Sequence, residues 1–207
     1  MDRSLLDNVI SILMGAIVLY SFFLSYKPAL RSLKSVAGDV KIKPRTWLQA
    51  IPKLVTTITL VLVILGIFNI GTFETGFNYD LYIRTLFLFL FALSIYLQVK
   101  SFRDLGVFYT QDIVLFGKQK IIDTGIYRYL RHPAYFFQFI SSFSAAIALE
   151  SYLILLFFLL IELPILIMRS DFEEDFLLKH CPNEYKAYSQ STLKWIPYIL
   201  PEKKLKE

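Results

Sequence analysis

The sequence predicts an all-α, polytopic membrane protein. Three observations carry that expectation. Of the 207 residues, 56% are apolar and only 19% charged; the mean hydropathy is +0.53; and the apolar residues gather into long runs separated by short polar loops.

Five apolar stretches are expected to span: Leu5 to Tyr26, Leu54 to Phe73, Leu81 to Val99, Ala134 to Leu149 and Tyr152 to Met168. The first three reach the roughly 20 residues that cross a bilayer core. The last two are shorter and read as a tight antiparallel hairpin turning at Glu150-Ser151, its second helix running on past the membrane surface. Pro133 suits the first position of the fourth helix, where the amide it lacks would have no intrahelical partner. After the hairpin, Phe172 to Leu178 continues as helix, Cys181-Pro-Asn-Glu184 breaks it, and Glu184 to Gln190 forms a further helical turn. Trp195-Ile-Pro-Tyr198 sets aromatic rings on either side of a proline, as interfacial segments do.

Charge orients these spans. Lys27, Arg31, Lys34, Lys41, Lys43, Arg45 and Lys53 stand against Asp39 alone in the first connecting segment, which is therefore expected in the cytoplasm. Alternating from there places the amino terminus and the Glu74 to Asp80 loop outside, and the Lys100 to His132 segment and the carboxy-terminal tail inside. All but Arg3 and Arg84 of the 22 Lys and Arg residues then face the cytoplasm. The net charge of +5 thus reflects topology first and attraction to anionic membrane lipids second. Nucleic acid is a poor partner, because no binding module organises the basic residues. One cysteine and two histidines exclude an intrachain disulfide and a thiolate cluster and leave little material for a metal site, so none is expected. Asp2 and Asp7 around Arg3 do not resemble a signal peptide, so the first span is expected to be retained. Without repeats or a long linker, residues 1–207 read as a single integral membrane domain. Residues 1–99 form a scaffold of three spans, and residues 100–207 form the half that carries the chemistry.

Two clusters carry that chemistry. Gly125-Ile-Tyr-Arg-Tyr-Leu-Arg-His-Pro-Ala-Tyr135 sets Arg128, Arg131 and His132 against the start of an apolar helix, whose free amides and dipole attract an anion. Either arginine alone would read as a headgroup anchor; together with the histidine, proline and tyrosines they read as a site. Arg169-Ser-Asp-Phe-Glu-Glu174 follows one hairpin later, so the chain returns an acidic cluster to the same membrane face. Glu173 and Glu174 point about 100° apart on a helix, which predicts a division of labour. Glu162, Arg169 and Glu173 share one helical stripe. An ionisable group inside an apolar span is costly and by default a functional candidate, and Pro164 bends the helix beside it; the plain alternative for Glu162 is a neutral acid or a partner for Arg169.

On these residues the second half resembles the isoprenylcysteine carboxyl methyltransferase and phospholipid methyltransferase superfamily. The resemblance runs through Leu105-Gly106, Gly125 to Tyr135, Arg169 with Glu173-Glu174, Glu184-Tyr185 with Tyr188, and Thr192 with Ile196-Pro197. It implies a small helical enzyme that uses S-adenosylmethionine without a Rossmann-like domain. It further implies cofactor contacts from Ile122, Tyr127, His132, Tyr135 and Glu174, and catalytic positions at Arg131, Arg169 and Glu173. Glu162 and Arg128 are candidates on the substrate side. The chain departs from the family pattern at Cys181-Pro-Asn183, where many members have Phe-Gly, and at Ile126, where a proline often stands; both bear on pocket shape.

The function expected is carboxyl O-methylation of an isoprenylcysteine or similar lipophilic acid, at a site facing the cytoplasm. A carboxylate acceptor is already ionised and needs an arginine to orient it; a phospholipid amine would need a base such as Glu173 or Glu162. Phospholipid amine N-methylation is therefore the alternative within the family. Membrane sterol reductases share a related core but are longer, and a non-enzymatic lipid-binding or transport protein would not explain the ordered motifs.

Overall fold

The computed structural model describes residues 3–36, 40–73, 80–117 and 119–195. Its elements are α1 (Arg3–Val36), β1 (Val40–Ile42), α2 (Ile51–Ile67), α3 (Asp80–Leu105), β2 (Leu115–Phe116), α4 (Pro133–Ala148), α5 (Tyr152–Phe157), a π-helical turn (Phe158–Glu162), α6 (Leu163–His180) and α7 (Pro182–Ser191). The fold is all-α apart from the antiparallel β1–β2 pair, in which Val40 faces Phe116 and Ile42 faces Leu115.

Among the described residues, four helical stretches are long and apolar enough to cross a membrane: Leu5–Tyr26, Trp47–Ile67, Leu81–Phe108 and Tyr152–His180. The chain is a multi-pass membrane protein. The fifth expected span, Ala134 to Leu149, corresponds to α4, whose 16 residues extend only about 24 Å at 1.5 Å per residue. Instead of facing lipid all round, α4 lays Ser141, Ser142, Ser144, Ala145, Ala146 and Ala148 against its neighbours, and its main packing partner is α3. Small residues on that face let the two backbones approach closely.

Boundaries differ from the sequence reading in physically intelligible ways. α1 continues to Val36, through Pro28 and well beyond the apolar run. α2 ends at Ile67 rather than Phe73: Asn69 takes φ +58°, and Ile70 N–H and Asn69 N–H return to the carbonyls of Leu65 and Gly66, each at 2.9 Å. That is a Schellman ending with asparagine in the left-handed position. α4 ends in the same way around Glu150, with φ +50°: Ser151 N–H meets Ala146 O at 2.9 Å and Glu150 N–H meets Ile147 O at 3.1 Å. Glutamate is a poor residue for this conformation; its carboxylate is held 3.2 Å from Arg84 Nη1. The two endings abut, since Phe73 N–H donates to Glu150 O at 3.0 Å and Ser151 Oγ to Gly71 O at 3.2 Å. Ser151 also caps α5, accepting from Ile154 N–H at 3.3 Å. The Glu74 to Asp80 loop lies outside the described residues up to position 79, as does the tail beyond Trp195.

The main core joins Leu6, Ile10 and Met14 of α1 to Leu88 and Phe91 of α3, Ala145 and Leu149 of α4, and Ile154. A smaller cluster of Ile113, Leu115 and Phe176 sits beneath the β pair. Between these two apolar masses the polar groups of α4 and α6 collect.

Candidate active site

Pro133 opens α4 at its first turn, with His132 at the cap position. The tail clamps this entry. Arg131 N–H donates to Leu193 O at 2.7 Å, Leu193 N–H to Tyr129 O at 3.2 Å, and His132 N–H to Lys194 O at 3.3 Å, which lays the tail alongside residues 129–132 through an isolated parallel bridge between Leu130 and Leu193. The Arg131 side chain reinforces it, donating through Nη1 to Ser189 O at 2.8 Å and Thr192 O at 2.5 Å and through Nε to Glu174 Oε1 at 2.9 Å. A buried guanidinium so engaged is a structural clamp whose charge also sits in the wall of the cavity below.

The adjacent carboxylates of α6 part company. Glu174 turns to Arg131, to His132 Nε2 at 3.0 Å and to Lys194 at 3.3 Å. Glu173 turns the other way and accepts the Tyr135 hydroxyl, with Arg169 Nε at 3.3 Å and His132 Nδ1 at 3.7 Å. Tyr135 in turn accepts from Arg169 Nε at 2.8 Å, and its ring stacks on His132 at 5.6 Å between centroids. Arg169 is 6% exposed. It reaches Leu48 O at 3.4 Å through Nη1 and Gln111 O at 2.5 Å through Nη2. Of five N–H donors, one on each terminal nitrogen has no partner among the described residues.

These groups border a cavity of about 550 Å³, within the range of small-molecule sites. Arg131, His132, Tyr135, Arg169 and Glu173 line it together with Ile122 and Tyr127. Its other walls include Phe102, Tyr109, Phe176, Tyr185 and Tyr188, so aromatic rings recur around it. Burial raises the Tyr109 hydroxyl to about 12 despite Arg169 nearby, and Tyr188 likewise to about 12 although Arg131 opposes the shift. Both are neutral donors at physiological pH, and Tyr188 gives its proton to Tyr127 O at 2.7 Å.

Three sequence candidates stand apart from the lining. Glu174 lies behind His132 and Arg131. Arg128 is exposed and does not border the cavity. Glu162 is fully buried and meets Thr59 at 3.0 Å and Gln138 at 2.8 Å; Arg169 pairs with Glu173 instead.

The sequence reading missed the roof. Residues 109–116 cross above the cavity, held by Arg169 at Gln111 and by Asp112, which pairs with Lys43 at 2.8 Å and Lys53 at 2.5 Å. Burial would raise the Asp112 carboxyl, but the two lysines outweigh it and hold it below its usual value. Behind the site, Gly125 takes φ +62° where a Cβ would lie 2.3 Å from Asp104. Asp104 accepts from Ile126 N–H at 3.0 Å, and that tight approach sets the turn into Tyr127. The only sequence signal for it was the glycine itself.

The profile of the phospholipid methyltransferase family matches residues 82–184, which bracket α3 to the start of α7. A curated protein-S-isoprenylcysteine O-methyltransferase of Dictyostelium discoideum is 33% identical over 79 residues, or 38% of this chain. That match spans only a third (33%) of the Dictyostelium protein's length. The chain belongs to the superfamily of integral membrane proteins that unites phospholipid methyltransferases with isoprenylcysteine carboxyl methyltransferases.

Proposed function

We propose that the protein is an S-adenosylmethionine-dependent membrane methyltransferase that O-methylates the carboxylate of a prenylated cysteine or similar lipophilic acid, from a site on the cytoplasmic face. The observation that carries this reading is the cavity rich in aromatic rings, with Arg169, Tyr135 and Glu173 hydrogen-bonded together in its wall and His132 stacked on Tyr135.

The residues fit the cofactor's chemistry. Aromatic faces attract a sulfonium cation and stack on a purine, and Glu173 adds a negative charge beside them. When bound, the cofactor supplies an electrophilic methyl group. The protein's task is then to align the acceptor and exclude water. Arg169 has one N–H group on each terminal nitrogen without a partner among the described residues, an arrangement suited to gripping a carboxylate through paired bonds. Glu173 and Tyr135 hold its Nε side and so fix the guanidinium plane. Tyr185 and Tyr188 close the cytoplasmic side, held by the clamp of Arg131 and Glu174. The identity of the Dictyostelium relative supports a prenylcysteine as acceptor.

The test is equilibrium binding of S-adenosylhomocysteine to the protein in nanodiscs. Micromolar binding is expected for the wild type, weakened about tenfold or more in His132→Ala, which removes the ring stacked on Tyr135. No binding to the wild type would defeat the reading.

A further inference from the structure

Glu162 is not used by the chemistry just described, yet it is the most completely buried carboxylate among the described residues, at 0% exposure. It sits at the end of the π-helical turn, next to Pro164, where an irregular ladder is typical of functional positions. Three donors converge on it: Gln138 Nε2 at 2.8 Å, Thr59 Oγ1 at 3.0 Å and the Ser142 hydroxyl. Gln138 presents its nitrogen to the Glu162 carboxyl. The second hydrogen of that nitrogen is also used, at Thr56 Oγ1 3.1 Å away, and the Thr56 hydroxyl in turn donates to Pro52 O at 2.9 Å.

Both donors of the Gln138 amide are therefore engaged, one by Glu162 and one by Thr56. Its Oε1 accepts no hydrogen bond from the described residues, while Gln138 lines the cavity one helical turn deeper than Tyr135. We propose that Glu162 locks the Gln138 amide so that its carbonyl oxygen faces the cavity and accepts a hydrogen bond from an N–H group of the acceptor molecule. Gln138 is then a specificity-determining residue, and Glu162 a positioning residue that acts through it. The inference rests on the reading that a lipophilic methyl acceptor enters this cavity. The N–H can belong to the amide of a prenylcysteine or to the ammonium of a phospholipid headgroup.

Equilibrium binding in nanodiscs tests this, using two matched pairs. The first is N-acetyl-S-farnesylcysteine and its N-methylated amide, which lacks the N–H; the second is phosphatidylethanolamine and phosphatidylcholine. Wild-type protein is expected to favour the N–H member of one pair by about tenfold, and the pair that responds identifies the source. Gln138→Leu abolishes the preference by weakening that member alone. Glu162→Gln does the same without removing the glutamine, because the new amide lets Gln138 turn its nitrogen to the cavity. S-adenosylhomocysteine affinity and melting temperature, measured on each variant, separate this from loss of fold: the preference must vanish in a variant that still binds the cofactor product. Equal binding within both pairs, or a preference that survives Gln138→Leu, overturns the proposal. Because the readout is binding, a Gln138-dependent preference in a protein that transfers no methyl group would retain this inference and defeat the methyltransferase reading.

Discussion

Glu173 and Glu174 are neighbours in sequence but answer to different cations, and their substitutions should separate accordingly. Glu173→Gln removes the charge that fixes Tyr135 and Arg169; methyl transfer is expected to fall about 100-fold or more with little change in melting temperature. Arg131→Ala should act mainly on stability, by about 3 kcal/mol, since it removes one of the cations that hold Glu174 and the donor to the carbonyls of residues 189 and 192; thermal unfolding in detergent measures it. Arg128→Ala should leave transfer within about twofold of wild type, because an exposed arginine by a membrane surface contributes little. At this scale the sequence was informative about residue type and order. His132, Tyr135, Arg169 and Glu173 were legible because few soluble or membrane helices place such groups at an apolar boundary. The separate posts of Arg128 and Arg131 were not, since three residues of irregular backbone decide which one turns inward.

Helices were legible where length and hydropathy alone determine them, as in α2 and α3, and less so where partners do. The run past Tyr26 in α1, the short α4 and the π-helical turn all depend on packing against other elements. The parallel pairing of residues 129–132 with the tail has no local signature, because a long-range bridge is decided by the whole fold. Arg84 illustrates the same limit. Read as a charge on the outer face, it is 4% exposed, donating to Ala148 O at 3.0 Å and pairing with Asp7 at 2.6 Å and with Glu150. Arg84→Met removes the guanidinium that pairs with Asp7 and Glu150 and should cost about 3 kcal/mol or more, read as a lower melting temperature. The roof over residues 109–116 carries a pH signature. Asp112 has a folded pKa below its unfolded one, so its contribution is complete above the unfolded value of about 3.9 and is lost as pH falls through the folded value. Hydrogen exchange in that segment should accelerate below about pH 4, and Lys43→Ala with Lys53→Ala should abolish the acid step. The effect is small, since both lysines are substantially exposed.

On the scale of the molecule, one apolar core lies under Glu150 and Arg84 and the polar site lies at the opposite ends of α4 and α6. The basic loops that predict a cytoplasmic face are on the site's side, as Lys43 and Lys53 show. Cys181, the single cysteine, provides a native probe of this orientation. Its thiol is raised by burial and by Glu184, so labelling should be slow and favoured by alkaline pH. A membrane-impermeant maleimide is expected to reach it only after the cells are permeabilised; equal labelling of intact cells would invert the topology. The cavity beneath Arg169 is proposed to transfer a methyl group to a lipophilic carboxylate. The most direct measurement supplies methyl-labelled S-adenosylmethionine and an S-farnesylcysteine analogue to wild-type and Glu173→Gln protein in nanodiscs. Alkali-labile label on the analogue, present with the wild type and nearly absent with the variant, is the result predicted. No label from the wild type, or equal label from both proteins, would contradict it.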